Sequence, residues 1–202
     1  MAVWPCFRRC YPVSQRSVRG LSQMQIRRMI YAAMYLALAM VLPFITMNIP
    51  EIGKALSPMH IPVMLCGFMC GWPWGMAVGF VAPLLRAVTI GMPQLFPDAV
   101  GMAFELAAYG FLTGAAWRVL PHRPPVLYGI LVFAMVIGRL VWGIARAAIM
   151  GITGNAFTFG MFIGGALLNA IPGIILHIAL IPLLVMAMER AGLSLNSTIQ
   201  TQ

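Results

Sequence analysis

The chain has 202 residues, of which 61% are hydrophobic and only 8% charged, with a mean hydropathy of +0.91. An ordinary soluble domain is about a quarter charged, and one this small could not hide so much apolar surface from water. Composition thus excludes a soluble globular fold and indicates an all-α integral membrane protein. The net charge of +9 is not a nucleic-acid footprint, because it is concentrated at the borders of apolar runs.

Residues 1–25 carry Arg8, Arg9, Arg16 and Arg19, and Arg27 and Arg28 follow just before the first apolar run. They have no continuous apolar core and no small-residue cleavage site, so they do not read as a signal peptide. They read as a basic cytoplasmic tail, or as an extension upstream of a start at Met24 or Met29. A first span is expected over 29–47, and Pro50, Glu51, Gly53, Lys54 and Pro58 then break the apolar pattern. Residues 61–90 contain a single charge, Arg86, and are too long for one crossing of about 20 residues. Trp72-Pro73-Trp74-Gly75 offers a turn, giving a short second span (61–71) and a third (75–91). Gly91-Met92-Pro93 and Pro97-Asp98 end the third, and a fourth runs over 99–118. The rigid, basic Pro121-His122-Arg123-Pro124-Pro125 loop leads to a fifth span over 126–150. A sixth is expected over 158–188, with Pro172 and Pro182 inside it and a polar tail over 191–202.

Six spans make a membrane domain of residues 26–190 with both termini on one side. The distribution of basic residues tests that count separately. Nine lie on the side of the termini (six N-terminal arginines, Arg118, Arg123 and Arg190), and only Lys54 lies in the opposite loops. That asymmetry places both termini in the cytoplasm.

Polar residues inside spans are the informative ones, since each must find a partner or line a cavity. Arg86, Glu105, Arg139, Arg146, Asn155 and Asn169 all fall in the half of the bundle that faces outward under this topology. Arg139 and Arg146 are seven residues apart and share a helical face to within about 20°, with Trp142 on the same stripe. Glu105 and Tyr109 form an i, i+4 pair, and His60, at the start of the second span, is placed to face the same cavity. Glu105 is either a ligand group or the ion-pair partner of one arginine. Because it balances only one of three arginines, the remaining positive charge favours a small anionic ligand. His177 lies deeper and reads equally well as a packing residue.

Gly67, Gly71, Gly75 and Gly79 recur at spacing four, as do the pairs Gly110/Gly114 and Gly160/Gly164. Such spacing lets helices approach closely. Cys66 and Cys70 sit one helical turn apart, which a helix holds too rigidly for easy disulfide geometry, so they read as packing residues. No metal site is expected, since no second ligand pair accompanies the cysteines. The sequence has no Walker A, Gly-x-Ser-x-Gly or His-Glu-x-x-His motif, so neither ATP hydrolysis nor a common hydrolase chemistry is expected of it.

Three stretches carry a family resemblance: Met59-His60-Ile61-Pro62-Val63-Met64-Leu65-Cys66-Gly67, Gly79-Phe80-Val81-Ala82-Pro83-Leu84-Leu85-Arg86 and Ala103-Phe104-Glu105-Leu106-Ala107. With the six-span layout, they make residues 25–190 similar to the substrate-binding S components of energy-coupling factor (ECF) vitamin transporters. The resemblance implies a subunit of the prokaryotic cell membrane that is not an enzyme and holds no cofactor of its own. It implies capture of a vitamin or precursor near the outer face, beneath a lid formed by residues 48–60. It also implies docking, through small residues matching Ala33 and Ala37, on a membrane coupling (T) subunit driven by two cytosolic ATPase subunits. Charge bookkeeping together with this precedent favours a carboxylate-bearing vitamin, pantothenate first. A non-transporting membrane scaffold and a stand-alone ion-coupled carrier are the alternatives.

Overall fold

A computed structural model describes residues 15–46, 58–152, 160, 164 and 171–191. The described residues form six helices: α1 (Gln15–Thr46), α2 (His60–Cys70), α3 (Trp72–Ile90), α4 (Val100–Val119), α5 (Pro124–Ile152) and α6 (Ile171–Arg190), with a short π turn over Leu95–Ala99. Five are long and apolar enough to cross a bilayer, while α2 is short. The chain is thus an all-helical membrane bundle. Its outer surface is apolar, with Val88 and Ile144 more than 70% exposed. Water would not tolerate such a surface over most of the protein, and lipid does.

Helix α1 begins at Gln15, well before the expected Met29, so part of the predicted tail is helical. Nothing between Gln15 and Met29 breaks a helix except Gly20, and a lone glycine costs only about 1 kcal/mol there. The break between α2 and α3 falls at Gly71, one residue before the expected Trp-Pro-Trp-Gly turn. Gly71 has φ 95° and ψ 170°, a conformation open to glycine and strained for other residues. Trp72 is already helical, and Pro73 sits in the first turn of α3, where its missing N–H removes no bond. Gly91, at φ 77°, caps α3 with its N–H on the Ala87 carbonyl. Pro182 lies inside α6, and Pro172 is its second described residue.

Every residue of α2 is buried. At 11 residues this helix is about 16 Å long, half the thickness of the bilayer core. It is apolar on all sides because protein surrounds it, and Cys66 and Cys70 are free thiols within it.

The glycine stripes set how the bundle closes. A Cβ at Gly75 would lie 2.6 Å from the Gly110 carbonyl oxygen, and one at Gly67 would lie 2.7 Å from the same atom. Gly79 meets Leu106, and Gly114 meets Trp72. Helices α3 and α4 therefore run antiparallel with backbone against backbone, the close packing that the spacing predicts. The Gly160/Gly164 pair stands among residues that are mostly outside the described set.

Direction follows from three contacts. The Tyr35 hydroxyl donates to Met188 Sδ near the end of α6 (3.5 Å). Further along α1, the Met40 carbonyl and the Phe44 ring meet Arg86 near the end of α3. Arg118, Arg123 and Arg190 thus gather at the end of the bundle from which α1 rises, and Arg86, Asp98 and Arg146 stand toward the other.

Candidate functional site

Helix α4 carries the centre of the site. Its buried face contains Glu105, Tyr109 and Thr113 at spacing four, so these side chains stack along one side. Thr113 returns its hydroxyl to the Tyr109 carbonyl at 2.8 Å. Glu105 and Tyr109 are each 1% exposed. A carboxylate buried so completely requires partners, because isolated charge is expelled from an apolar interior.

Three side chains converge on one oxygen of Glu105. The Tyr109 hydroxyl donates to Oε1 at 2.9 Å, and Arg139 Nη1 from α5 lies 3.0 Å from the same atom. His60 Nε2, on the first residue of α2, is 3.7 Å away. The start of α2 therefore lies beside the carboxylate, where the positive end of a helix dipole favours negative charge. His177 from α6 stacks on His60 with ring centroids 5.6 Å apart, and the Tyr109 ring lies 5.3 Å from the His60 ring. Glu105 thus sits where α2, α4 and α5 meet, and the histidine stack brings α6 to the same point.

A glycine makes room for the tyrosine. A Cβ at Gly138 would collide with the Tyr109 ring, so α5 approaches α4 closely only because position 138 has no side chain. Gly138 precedes Arg139 directly, and the packing that seats Tyr109 also brings the guanidinium to Glu105.

One turn and more beyond Arg139, toward the end of α5, lies a second polar group. Arg146 pairs with Asp98, and its guanidinium lies 5.5 Å from the Trp142 ring centroid, within cation–π range. Trp142 and Arg146 both border Gly101 on α4. Arg139, Trp142 and Arg146 therefore face α4 together, as the seven-residue spacing predicts. The two arginines are separated by about 10 Å along the axis.

Arg86 is placed differently. It is 5% exposed, gives Nε to the Met92 carbonyl at 3.1 Å and Nη1 to the Met40 carbonyl at 3.4 Å, and packs against Phe44. These contacts tie the end of α1 to the loop after α3. Asn155 and Asn169 lie outside the described residues, as does most of the expected lid over residues 48–60.

The pairing corrects the charge count made from sequence. Glu105 was matched there against three arginines, leaving a surplus of two. Asp98 neutralises Arg146, and Arg86 is bonded to the main-chain carbonyls of Met40 and Met92. Asp98 was read as a span terminator, and it lies in the turn just before α4, where it meets Arg146. His177 was left between two readings, and its stacking on His60 depends on the register of α6 against α2, which no local spacing encodes.

The family model for the ECF transporter, substrate-specific component, matches residues 27–185. Neither a curated protein nor a solved structure gives a match. The matched segment covers most of the chain, and the chain belongs to this family. It is accordingly a multi-pass protein of the cell membrane and the substrate-specific binding subunit of an ECF transporter, a partner of an ECF energising module. This assignment favours the transporter subunit over the membrane scaffold.

Proposed function

We propose that this S component captures a vitamin or vitamin precursor from outside the cell at the cluster formed by His60, Glu105, Tyr109, Arg139 and His177. The group formed by Asp98, Trp142 and Arg146 lines its approach, and Asn155 and Asn169 are proposed as further ligand contacts from their sequence positions alone. Arg86 holds the rim by tying α1 to the loop after α3. The observation that carries the reading is the convergence of Tyr109, Arg139 and His60 on a single buried oxygen of Glu105. A purely structural ion pair needs one partner, whereas this arrangement sets donors and acceptors side by side where half a helix begins. Transporter sites near the bilayer midplane are built in the same way, at the ends of discontinuous helices.

The ligand that suits the cluster is compact and rich in hydroxyl, amide or carboxylate groups. Arg139 meets Glu105 through Nη1, and its planar fork also suits a carboxylate or carbonyl of the ligand. Pantothenate, with one carboxylate and several hydroxyls, is the first compound to test. With Arg146 paired to Asp98, the case rests on the Arg139 fork and not on net charge. Residues 48–60 act as the lid, and their last member, His60, already stands at the site.

The proposed orientation places the arginine-rich end, with Arg27, Arg28, Arg118, Arg123 and Arg190, in the cytoplasm. Ala33 and Ala37 are exposed on α1, as docking on the T subunit requires, and two cytosolic ATPases supply the energy. Replacing both alanines by tryptophan should abolish uptake in cells while leaving vitamin binding by the isolated subunit unchanged. Unimpaired uptake in that variant would place the docking surface elsewhere.

The decisive test is a thermal-shift panel on the purified subunit with pantothenate, folate, biotin, riboflavin, thiamine, pyridoxine and niacin. A ligand at a thousandfold excess over its dissociation constant stabilises by about 4 kcal/mol. Arg139→Lys is the control, since it keeps the charge opposite Glu105 and loses the planar fork. One compound should raise the melting temperature of the native protein and lose most of its effect in the variant. An equal shift in both proteins would remove Arg139 from the site.

A further inference from the structure

A second polar site lies at the opposite, arginine-rich end of the bundle. A pocket of about 160 Å³ opens where the end of α4, the start of α5 and the end of α6 meet, and its lining includes Trp117, His122, Arg123, Glu189 and Arg190. That volume is many times the roughly 10–15 Å³ that a single water-sized probe fills. Arg123 and Arg190 are exposed at its mouth, and Glu189 offsets one of them, so the lining keeps a net positive charge.

The inner wall is what sets this pocket apart from an ordinary basic rim. Trp117 is 1% exposed, and its Nε1 is buried with no hydrogen-bond partner among the described residues. His122 Nε2 is buried in the same condition. The two rings meet edge to face at 4.4 Å, and Phe68 holds the other side of Trp117 at 5.4 Å. A buried indole N–H is a donor only, and leaving it without an acceptor is costly. A fixed buried donor beside two arginines calls for an acceptor with negative charge and several oxygens.

We propose that this pocket binds a phosphate group. Trp117 Nε1 donates from the inner wall, Arg123 and Arg190 neutralise the charge at the mouth, and His122 supplies a further nitrogen. The end of α4, the start of α5 and the end of α6 are the termini of apolar spans, which places them at headgroup level, and basic pockets between helices at that level suit anionic lipid headgroups. The same chemistry fits free phosphate, and the two sources separate by experiment. The site is remote from the Glu105 cluster and does not depend on the vitamin reading.

The full-length protein in detergent would be melted with increasing short-chain phosphatidylglycerol, with short-chain phosphatidylcholine, and with inorganic phosphate against chloride at equal ionic strength. Phosphatidylglycerol should stabilise the protein saturably beyond phosphatidylcholine. If phosphate matches it, free phosphate is the occupant, and if only phosphatidylglycerol acts, the lipid is. Trp117→Phe keeps the ring against Phe68 and removes the N–H, and Arg123→Gln removes an exposed charge. Each should weaken the apparent affinity by about tenfold or more, the change that corresponds to loss of one good charged or buried hydrogen bond. If Trp117→Phe does not fold, as judged by size-exclusion chromatography, His122→Phe replaces it. No shift with either anion overturns the proposal. So does a weakening confined to one of the two variants, since plain attraction to exposed arginine would need no buried donor.

Discussion

Arg139→Ala is expected to lower the melting temperature of the subunit more than Glu105→Gln does. The Glu105 side chain is 2% exposed and that of Arg139 20%, so the two halves of the pair are not equivalent. Removing the arginine strands a buried carboxylate, a change that costs about 3–5 kcal/mol when one partner of a buried pair is lost. Removing the charge of Glu105 leaves a guanidinium that can turn toward more polar surroundings, and the glutamine still accepts from Tyr109. The double variant Arg139→Ala/Glu105→Gln should therefore be more stable than Arg139→Ala alone. Melting of the four proteins in one detergent forms a complete cycle. A double variant less stable than both singles would mean that Glu105 does not depend on Arg139 for its charge.

Gly75→Val should be strongly damaging, as should substitution of the other glycines between α3 and α4. A Cβ there would stand 2.6 Å from the Gly110 carbonyl oxygen and 2.7 Å from the Gly67 Cα. Both neighbours are backbone, so no side chain can swing aside, and α3 must move away from α4. Overpacking of this kind costs about 1–3 kcal/mol or more, equivalent to a fall of roughly 2–12 °C in melting temperature for a chain of this length. Gly129→Val on α5 is the control, because a Cβ there meets nothing within 4 Å. Equal melting of the two variants would show that the glycine stripe does not set the α3–α4 distance.

Both predictions draw on features that were partly legible in the sequence. The glycine spacing announced close packing, and facing stripes at Gly67/Gly75 and Gly110/Gly114 are its realisation. The seven-residue interval between Arg139 and Arg146 placed both on one face, and Trp142 joined them there. Asp98 went unread because a carboxylate beside a proline at the end of a span looks like a helix terminator. Arg86 was counted toward the cavity, and the structure adds its bonds to the Met40 and Met92 carbonyls.

The sequence by itself determined the solvent, the helical class and, to within a few residues, the breaks between the described helices. An apolar run that long has no stable place in water, and a helix must satisfy its own backbone in lipid. Proline, glycine and charge mark where each helix ends, and these signals act over a few neighbouring residues. Only the tertiary structure decided that α2 is buried throughout with His60 beside Glu105, that Arg139 belongs to Glu105 and Arg146 to Asp98, and that His177 stacks on His60. Each of these depends on the axial register of one helix against another. That register is set by packing summed along whole interfaces, and helical periodicity within a single segment carries no record of it.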